Sequence, residues 1–150
     1  MQNNTQLFDE IAVWKARYCR YVDTKRWDEF RKLFSDAPDI RFVDTEGQTT
    51  HAFTSVDEFV TKSARYLEGA RTIHQVHNAE MERVSDNKVA AIWSMEDYLV
   101  FPPTDDIRPS SMHGYGHYYE TWVFEDGRWR IAKLELHRTI LEITPKELVQ

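Results

Sequence analysis

The sequence predicts an α+β fold, a cone-like barrel in which three N-terminal helices pack on a curved, mostly antiparallel sheet and enclose a pocket. Three observations predict it. Helical periodicity and helix-capping signals are confined to the first half of the chain. From residue 71 onward, four long strand-like stretches, 71–84, 88–101, 113–125 and 128–141, follow one another, most of them across short turns. The chain has 150 residues and 41% hydrophobic content, enough for one domain over residues 1–150 with a sizeable core.

The first helix is expected from Leu7, Ile11, Trp14, Tyr18 and Tyr21 or Val22, which recur at helical spacing and form one apolar stripe; Thr5 is the expected N-cap. A second helix is expected over Trp27 to Phe34, stopped by Ser35-Asp36-Ala37-Pro38. A third starts at Ser55, where Ser55 and Glu58 have capping-box spacing. Between the last two, Ile40–Asp44 and Gln48–Phe53 read as a small hairpin turning at Thr45-Glu46-Gly47. The four long strands are separated by Ser85-Asp86-Asn87, by the proline-containing loop from Pro102 to Ser111, and by Glu125-Asp126-Gly127, the last a strong hairpin signal.

Composition narrows the function. A net charge of −6 argues against a phosphate-binding surface, so no nucleic-acid partner is expected. Cys19 is the sole cysteine, which leaves no disulfide or cysteine-based zinc site; a buried, reduced thiol is expected. The first twenty residues hold Asp9, Glu10, Lys15 and Arg17 and contain no signal-peptide core, and no segment is apolar enough to span a bilayer. A cytoplasmic location and no membrane partner are expected. Gly-rich phosphate loops and a G-x-S-x-G elbow are both missing, so no cofactor and no serine nucleophile are expected.

The strand alternation carries the functional signal. One face of the second long strand reads Val89, Ala91, Trp93, Met95, Asp97, Leu99, Phe101, which puts a carboxylate within an apolar row. One face of the last reads Ala132, Leu134, Leu136, Arg138, Ile140, which does the same with a guanidinium. Charges on apolar faces are costly unless paired or met by a polar ligand. Asp97 and Arg138 form a buried ion pair, or a strand bulge turns one of them outward, or they project into the pocket.

Asp23, at the end of the first helix, opposes the helix dipole there, which leaves it either an exposed turn residue or one placed for another purpose. His74 and His77 lie three apart on a strand and so on opposite faces, which disfavours a two-histidine metal site; no metal is expected. A histidine facing the interior beside a carboxylate is a competent general base. Aromatic residues make up 13% of the chain and concentrate in the first helix and the strands, where large rings line pockets as well as fill cores. Trp14, Trp93, Met95, Leu136 and the pair His117 and Tyr119, which share a strand face, are the expected pocket lining.

Tyr18-Cys19-Arg20-Tyr21-Val22-Asp23-Thr24-Lys25-Arg26-Trp27-Asp28 resembles the opening signature of SnoaL-like domains in the nuclear transport factor 2-like superfamily. Thr72-Ile73-His74, Trp93-Ser94-Met95-Glu96-Asp97 and Asp126-Gly127-Arg128-Trp129-Arg130-Ile131 resemble its later strands, and the similarity covers nearly the whole chain. Within the superfamily the chain is similar to scytalone dehydratase, hexachlorocyclohexane dehydrochlorinase and bile acid 7α-dehydratase.

The resemblance implies an Asp-His dyad at Asp23 and His74, with Tyr18, Asp97 and Arg138 also in the catalytic site. It implies a cofactor-independent lyase, isomerase or cyclase acting on a small hydrophobic cyclic substrate. The same architecture also serves ring-hydroxylating dioxygenase small (β) subunits that do no chemistry, so a non-catalytic binding protein or subunit is the alternative. A homo-oligomer is expected in either case. Ile92, Tyr98, Val100, Val123 and Trp129 are expected on the outer sheet face, and the resemblance implies a dimer or trimer.

Overall fold

The computed structural model describes residues 2–147. Helix α1 spans Asn4–Asp23. Its cap lies earlier than Thr5: the Asn3 side chain accepts from the Gln6 N–H at 2.9 Å while the Gln6 side chain accepts from the Asn3 N–H, a reciprocal box that satisfies two otherwise unpaired donors. The helix buries Leu7, Ile11, Lys15, Tyr18, Cys19 and Val22. It stops where Lys25 enters the left-handed region at φ 57°, which leaves Asp23 as its last residue.

Helix α2 (Trp27–Arg31) is shorter than its sequence pattern, and strand β1 (Phe34–Val43) begins where a helix stop is expected. The reason is tertiary. Phe34 pairs with Ile131 and Asp39 with Lys133 on the last strand, so Ser35 to Pro38 bulge out of a parallel ladder, where a proline has no bond to donate. Strand β2 (Thr49–Phe53) returns antiparallel to β1; Asp44 Oδ1 accepts from the Glu46 and Gln48 N–H groups, and Gly47 takes φ +81°. Helix α3 (Val56–Tyr66) starts on Ser55, whose side chain accepts from the Glu58 N–H.

Strands β3 (Arg71–Ser85), β4 (Lys88–Val100), β5 (Ser111–Glu125) and β6 (Arg128–Thr144) form the meander. The β5–β6 turn has Asp126 at φ 52° and Gly127 at φ 77°, the two positive values of a type I′ turn. The six strands make one curved sheet in the order β2-β1-β6-β5-β4-β3, with only β1–β6 parallel and the three helices packed on it. No helix among the described residues is long and apolar enough to cross a membrane.

Bulges set which residues face the helices. Register shifts in β6 leave Ala132 and Thr139 unmatched against β5, and another in β3 follows His77, with Asn78 at φ 46°. The β6 face expected from alternation therefore splits: Leu134 and Leu136 are buried and Arg138 faces inward, but Ala132 is an extra residue and Ile140 turns to solvent. Of the five side chains expected outside, Tyr98 is exposed and Ile92, Val100 and Val123 are half-buried; Trp129 is instead buried on the inner side, next to Ile131.

Candidate active site

The register stacks the inward side chains in layers. At the end of the sheet where β4 gives way to the 101–110 loop lie Leu99 and Met112. The next layer holds His74, Asp97 and Gly114, and the next Val76, Met95, Gly116 and Arg138. Trp93, Tyr118 and Leu136 follow, then Ala91, Glu120 and Leu134.

Helix α1 delivers Asp23 to the second layer. Its Oδ1 accepts from His74 Nδ1 at 2.7 Å and from Thr72 Oγ1 at 2.8 Å, while Oδ2 accepts from the His74 backbone N–H at 2.9 Å. Three donors converge on one carboxylate, which fixes both its orientation and the imidazole tautomer. With the proton on Nδ1, Nε2 presents a lone pair, and it has no hydrogen-bond partner among the described residues. The dyad is largely covered, with 11% of the His74 and 16% of the Asp23 side chain exposed.

Directly across the ladder from His74 is Asp97, bound in bidentate fashion by Arg138 (Nη1–Oδ1 2.9 Å, Nη2–Oδ2 2.8 Å). Of the alternatives for these charges, the ion pair is the one observed. Burial works against the Arg138 charge, but the hydrogen bonds and charge of Asp97 more than offset it and hold the guanidinium above its ordinary range. Gly114 makes room for the pair, and Gly116 lets the bulged β6 backbone at His137 approach closely.

Tyr18 is buried among Phe30, Phe34 and Tyr118, with ring centroids 5.0, 6.1 and 5.9 Å away. Burial pushes its phenol well above the ordinary range, with Glu120 adding to the effect; burial does the same to Tyr118. The negative charge of Asp97 acts on both phenols in that direction. Beneath them Lys15 and Glu120, both fully buried, form an ion pair at 2.5 Å.

Trp93, Met95 and Leu136 lie on the inner face, each almost wholly buried, and the indole N–H of Trp93 donates to Glu120 at 2.7 Å. Trp14 borders a separate hollow of about 140 Å³, with Tyr21, Leu33 and Trp129. His117 and Tyr119 do not line the interior. They lie on the exposed face of β5, because its inward row is Gly114, Gly116, Tyr118, Glu120, Trp122. Thr72, Tyr118 and Glu120 are the polar neighbours that sequence reasoning passed over. The signal for two of them was the carboxylate between Tyr118 and Trp122 at alternate positions.

An open cleft of about 460 Å³ adjoins the first layer, lined by Tyr66, Ile107, Arg108, Pro109, Met112 and Ile143 among others. The Arg138 charge reaches the Tyr66 phenol, so the cleft lies within electrostatic range of the charged layers.

A helix-delivered aspartate meeting a strand histidine inside such a cone coincides with a sequence match to the SnoaL-like domain over residues 5–135. The chain belongs to the SnoaL-like domain family. One relative is a probable cyclase from Gibberella zeae, 26% identical over 132 residues, covering 83% of this chain and 85% of the relative. Among solved structures, a Novosphingobium aromaticivorans protein provisionally named a scytalone dehydratase superposes with TM-score 0.79 at 20% identity, covering 98% of this chain and 91% of its own. A type 2 hexachlorocyclohexane dehydrochlorinase gives 0.73 at 17% (96% and 94%). The β subunit of benzoate 1,2-dioxygenase from Burkholderia mallei gives 0.71 at 13% (87% and 89%). At these identities the superpositions speak to the fold. The same fold thus recurs in proteins named as a dehydratase, a dehydrochlorinase and an oxygenase subunit.

Proposed function

We propose that this SnoaL-like protein is a cofactor-independent lyase, isomerase or cyclase whose Asp23–His74 dyad removes a proton from carbon beside a carbonyl in a hydrophobic cyclic substrate. The observation that carries the reading is the 2.7 Å contact from His74 Nδ1 to an aspartate also held by the Thr72 hydroxyl and the His74 backbone N–H, which leaves Nε2 as the free base. Nε2 takes the proton, and the C–H electron pair moves into the adjacent carbonyl to give an enolate. In an elimination, that electron density then forms the C=C bond as the leaving group departs with its bonding pair.

Asp23 stabilises the imidazolium that results. Arg138 uses two of its five N–H groups on Asp97, and the others are available to developing negative charge. The Tyr18 phenol, kept neutral by burial, is a hydrogen-bond donor for the substrate oxygen. The names of the similar cyclase, dehydratase and dehydrochlorinase support this class of chemistry.

The test needs no knowledge of the leaving group, because each of these reactions begins by enolisation. Protein in D2O is mixed with 2-tetralone, 2-decalone or cyclohexanone, and loss of the α-proton signal is followed by NMR. Exchange above the buffer rate is expected, lowered about 10²–10⁴-fold by His74→Ala or Asp23→Asn. Equal exchange in both variants defeats the proposal.

A non-catalytic subunit is the second reading, favoured by the benzoate dioxygenase likeness and by exposed Ile73, Tyr98, Tyr115, Tyr119 and Ile140 on the outer sheet face. Under the first reading a second copy of this chain covers that face. Light scattering separates them: a stable homo-oligomer supports self-association, and a monomer supports a different partner.

A further inference from the structure

A fully buried ion pair lies three layers below the dyad. The buried stripe of α1 runs Leu7, Ile11, Lys15, Tyr18, Val22, so a lysine occupies a position at which leucine would continue the core. Its ammonium is wholly buried and its partner Glu120, on β5, is buried as well. Buried ion pairs are often no more stabilising than well-packed apolar residues of the same size, so their stability contribution alone does not account for this one.

Every donor and acceptor of the pair is nonetheless matched. Glu120 Oε2 accepts from Lys15, and Oε1 accepts from the indole N–H groups of Trp93 at 2.7 Å and Trp122 at 3.0 Å. The remaining side of the ammonium is taken up by two aromatic faces, with Nζ 3.6 Å from the ring centroid of Tyr18 and 3.7 Å from that of Tyr118. A cation held this way restricts both rings. Tyr118 stands in the layer next to Arg138, and the Asp97 charge reaches both phenols.

We propose that the Lys15–Glu120 pair is a positioning device: the ammonium, clasped between Tyr18 and Tyr118, sets the two phenols against the Asp97–Arg138 layer and so orients the donors that serve the reaction at His74. Tyr118 thereby joins Tyr18 as a second hydroxyl donor. The inference rests on the proton-abstraction reading above for its catalytic part, and on the clasp geometry alone for its positioning part.

The test replaces the charges by a neutral pair of similar shape, Lys15→Met with Glu120→Gln, which keeps an acceptor for the two indoles. Unfolding midpoint, ring-flip rates of 13C-labelled Tyr18 and Tyr118, and α-proton exchange from 2-tetralone are compared with wild type, and Tyr118→Phe is made in both backgrounds. Expected are an unchanged or higher midpoint, ring flips about tenfold faster, and an exchange kcat about tenfold lower with KM little altered, as for loss of a preorganised donor.

Tyr118→Phe should lower exchange in wild type and have little further effect in the neutral-pair background. Restoring charge with Lys15→Arg beside native Glu120 should recover part of the rate. Unchanged ring flips, or an unchanged exchange rate despite faster flips, overturn the positioning role. If wild type itself exchanges no faster than buffer, the proton-abstraction reading has failed instead, and the ring-flip comparison alone decides whether the clasp exists. Should the neutral-pair variant not fold, Tyr118→Phe alone decides: exchange at the wild-type rate in that variant overturns the role of Tyr118 as a second donor.

Discussion

Gly114 and Arg138 compete for one space: a Cβ on the glycine would lie 2.1 Å from Arg138 Nη1 and 2.5 Å from Asp97 Oδ1. Gly114 is not held in a left-handed conformation, so its requirement is room for the guanidinium. The Asp97–Arg138 pair cannot step aside cheaply, since both of its hydrogen bonds are short and Asp97 is almost fully buried. Gly114→Ala should therefore displace the pair and destabilise the fold by about 2–4 kcal/mol, close to the cost of breaking a buried ion pair. Urea unfolding measures it, and a loss below about 0.5 kcal/mol would show that the pair relaxes around a methyl group.

Thr72 holds the other half of the site. Its hydroxyl donates to the same Asp23 oxygen that His74 Nδ1 reaches, so it restrains the carboxylate without touching the imidazole. Thr72→Val keeps the shape and removes the donor. Stability should fall by about 1–2 kcal/mol, and α-proton exchange should slow about tenfold, as for other residues that orient a catalytic ligand. Exchange at the wild-type rate would show that His74 and its backbone N–H orient Asp23 unaided.

How far these features were legible follows from what each depends on. The stripe of α1 and the β5–β6 turn are local patterns, and they were readable in Leu7, Ile11, Tyr18 and Val22 and in Asp126-Gly127. The inward phase of β5 was not. Gly114 and Gly116 are small because β6 and Arg138 crowd them, so the inward face looked less apolar than the outward row of Tyr115, His117 and Tyr119. Ser35 to Pro38 form a bulge instead of a helix stop because β6, from the far end of the chain, pairs with Phe34 and Asp39 on either side of them, an interaction that no local propensity encodes. Asp97 and Arg138 stood out as charges on apolar rows, yet their pairing depends on the bulge at Thr139. Glu120 escaped notice, because it lies on the strand face phased outward.

Alkaline pH should unfold the protein through groups kept protonated in the core. Burial raises the Cys19 thiol from 9.0 to about 11 against the opposing charge of Lys15, and burial raises Tyr18 and Tyr118 well above 10.0. In the unfolded chain these groups lose their protons earlier, so their contribution is fully present below pH 9 and declines as pH rises past the unfolded values toward the folded ones. The slope is about 1.4 kcal/mol per pH unit for each group engaged. Urea midpoints between pH 8 and pH 11 measure it. Tyr18→Phe, which keeps the ring and removes the proton, should flatten the upper part of the curve; an identical slope would place the effect elsewhere.

The 101–110 loop should stay fastened in acid. Asp106 accepts from the Arg108 side chain and backbone, from the Thr104 hydroxyl and from Lys146, and Arg108 in turn donates to the Tyr66 and Glu68 carbonyls at the end of α3. The Arg108 bonds come first among the causes that hold the Asp106 carboxyl far below the ordinary carboxylate range. A depressed folded value means that the fastening is present above the unfolded value and is lost only as pH falls through the much lower folded one. The Asp106 carboxyl signal should therefore show no titration step down to about pH 3, where an ordinary aspartate is mostly protonated. Ile107, fully exposed at the loop tip, is the natural site for thermolysin, which cleaves before large apolar residues. Asp106→Asn should release the loop and speed that cut several-fold at neutral pH while the unfolding midpoint changes little. Equal cleavage rates would mean that the contacts of Lys146 with Thr104 and of Arg108 with α3 hold the loop without the carboxylate.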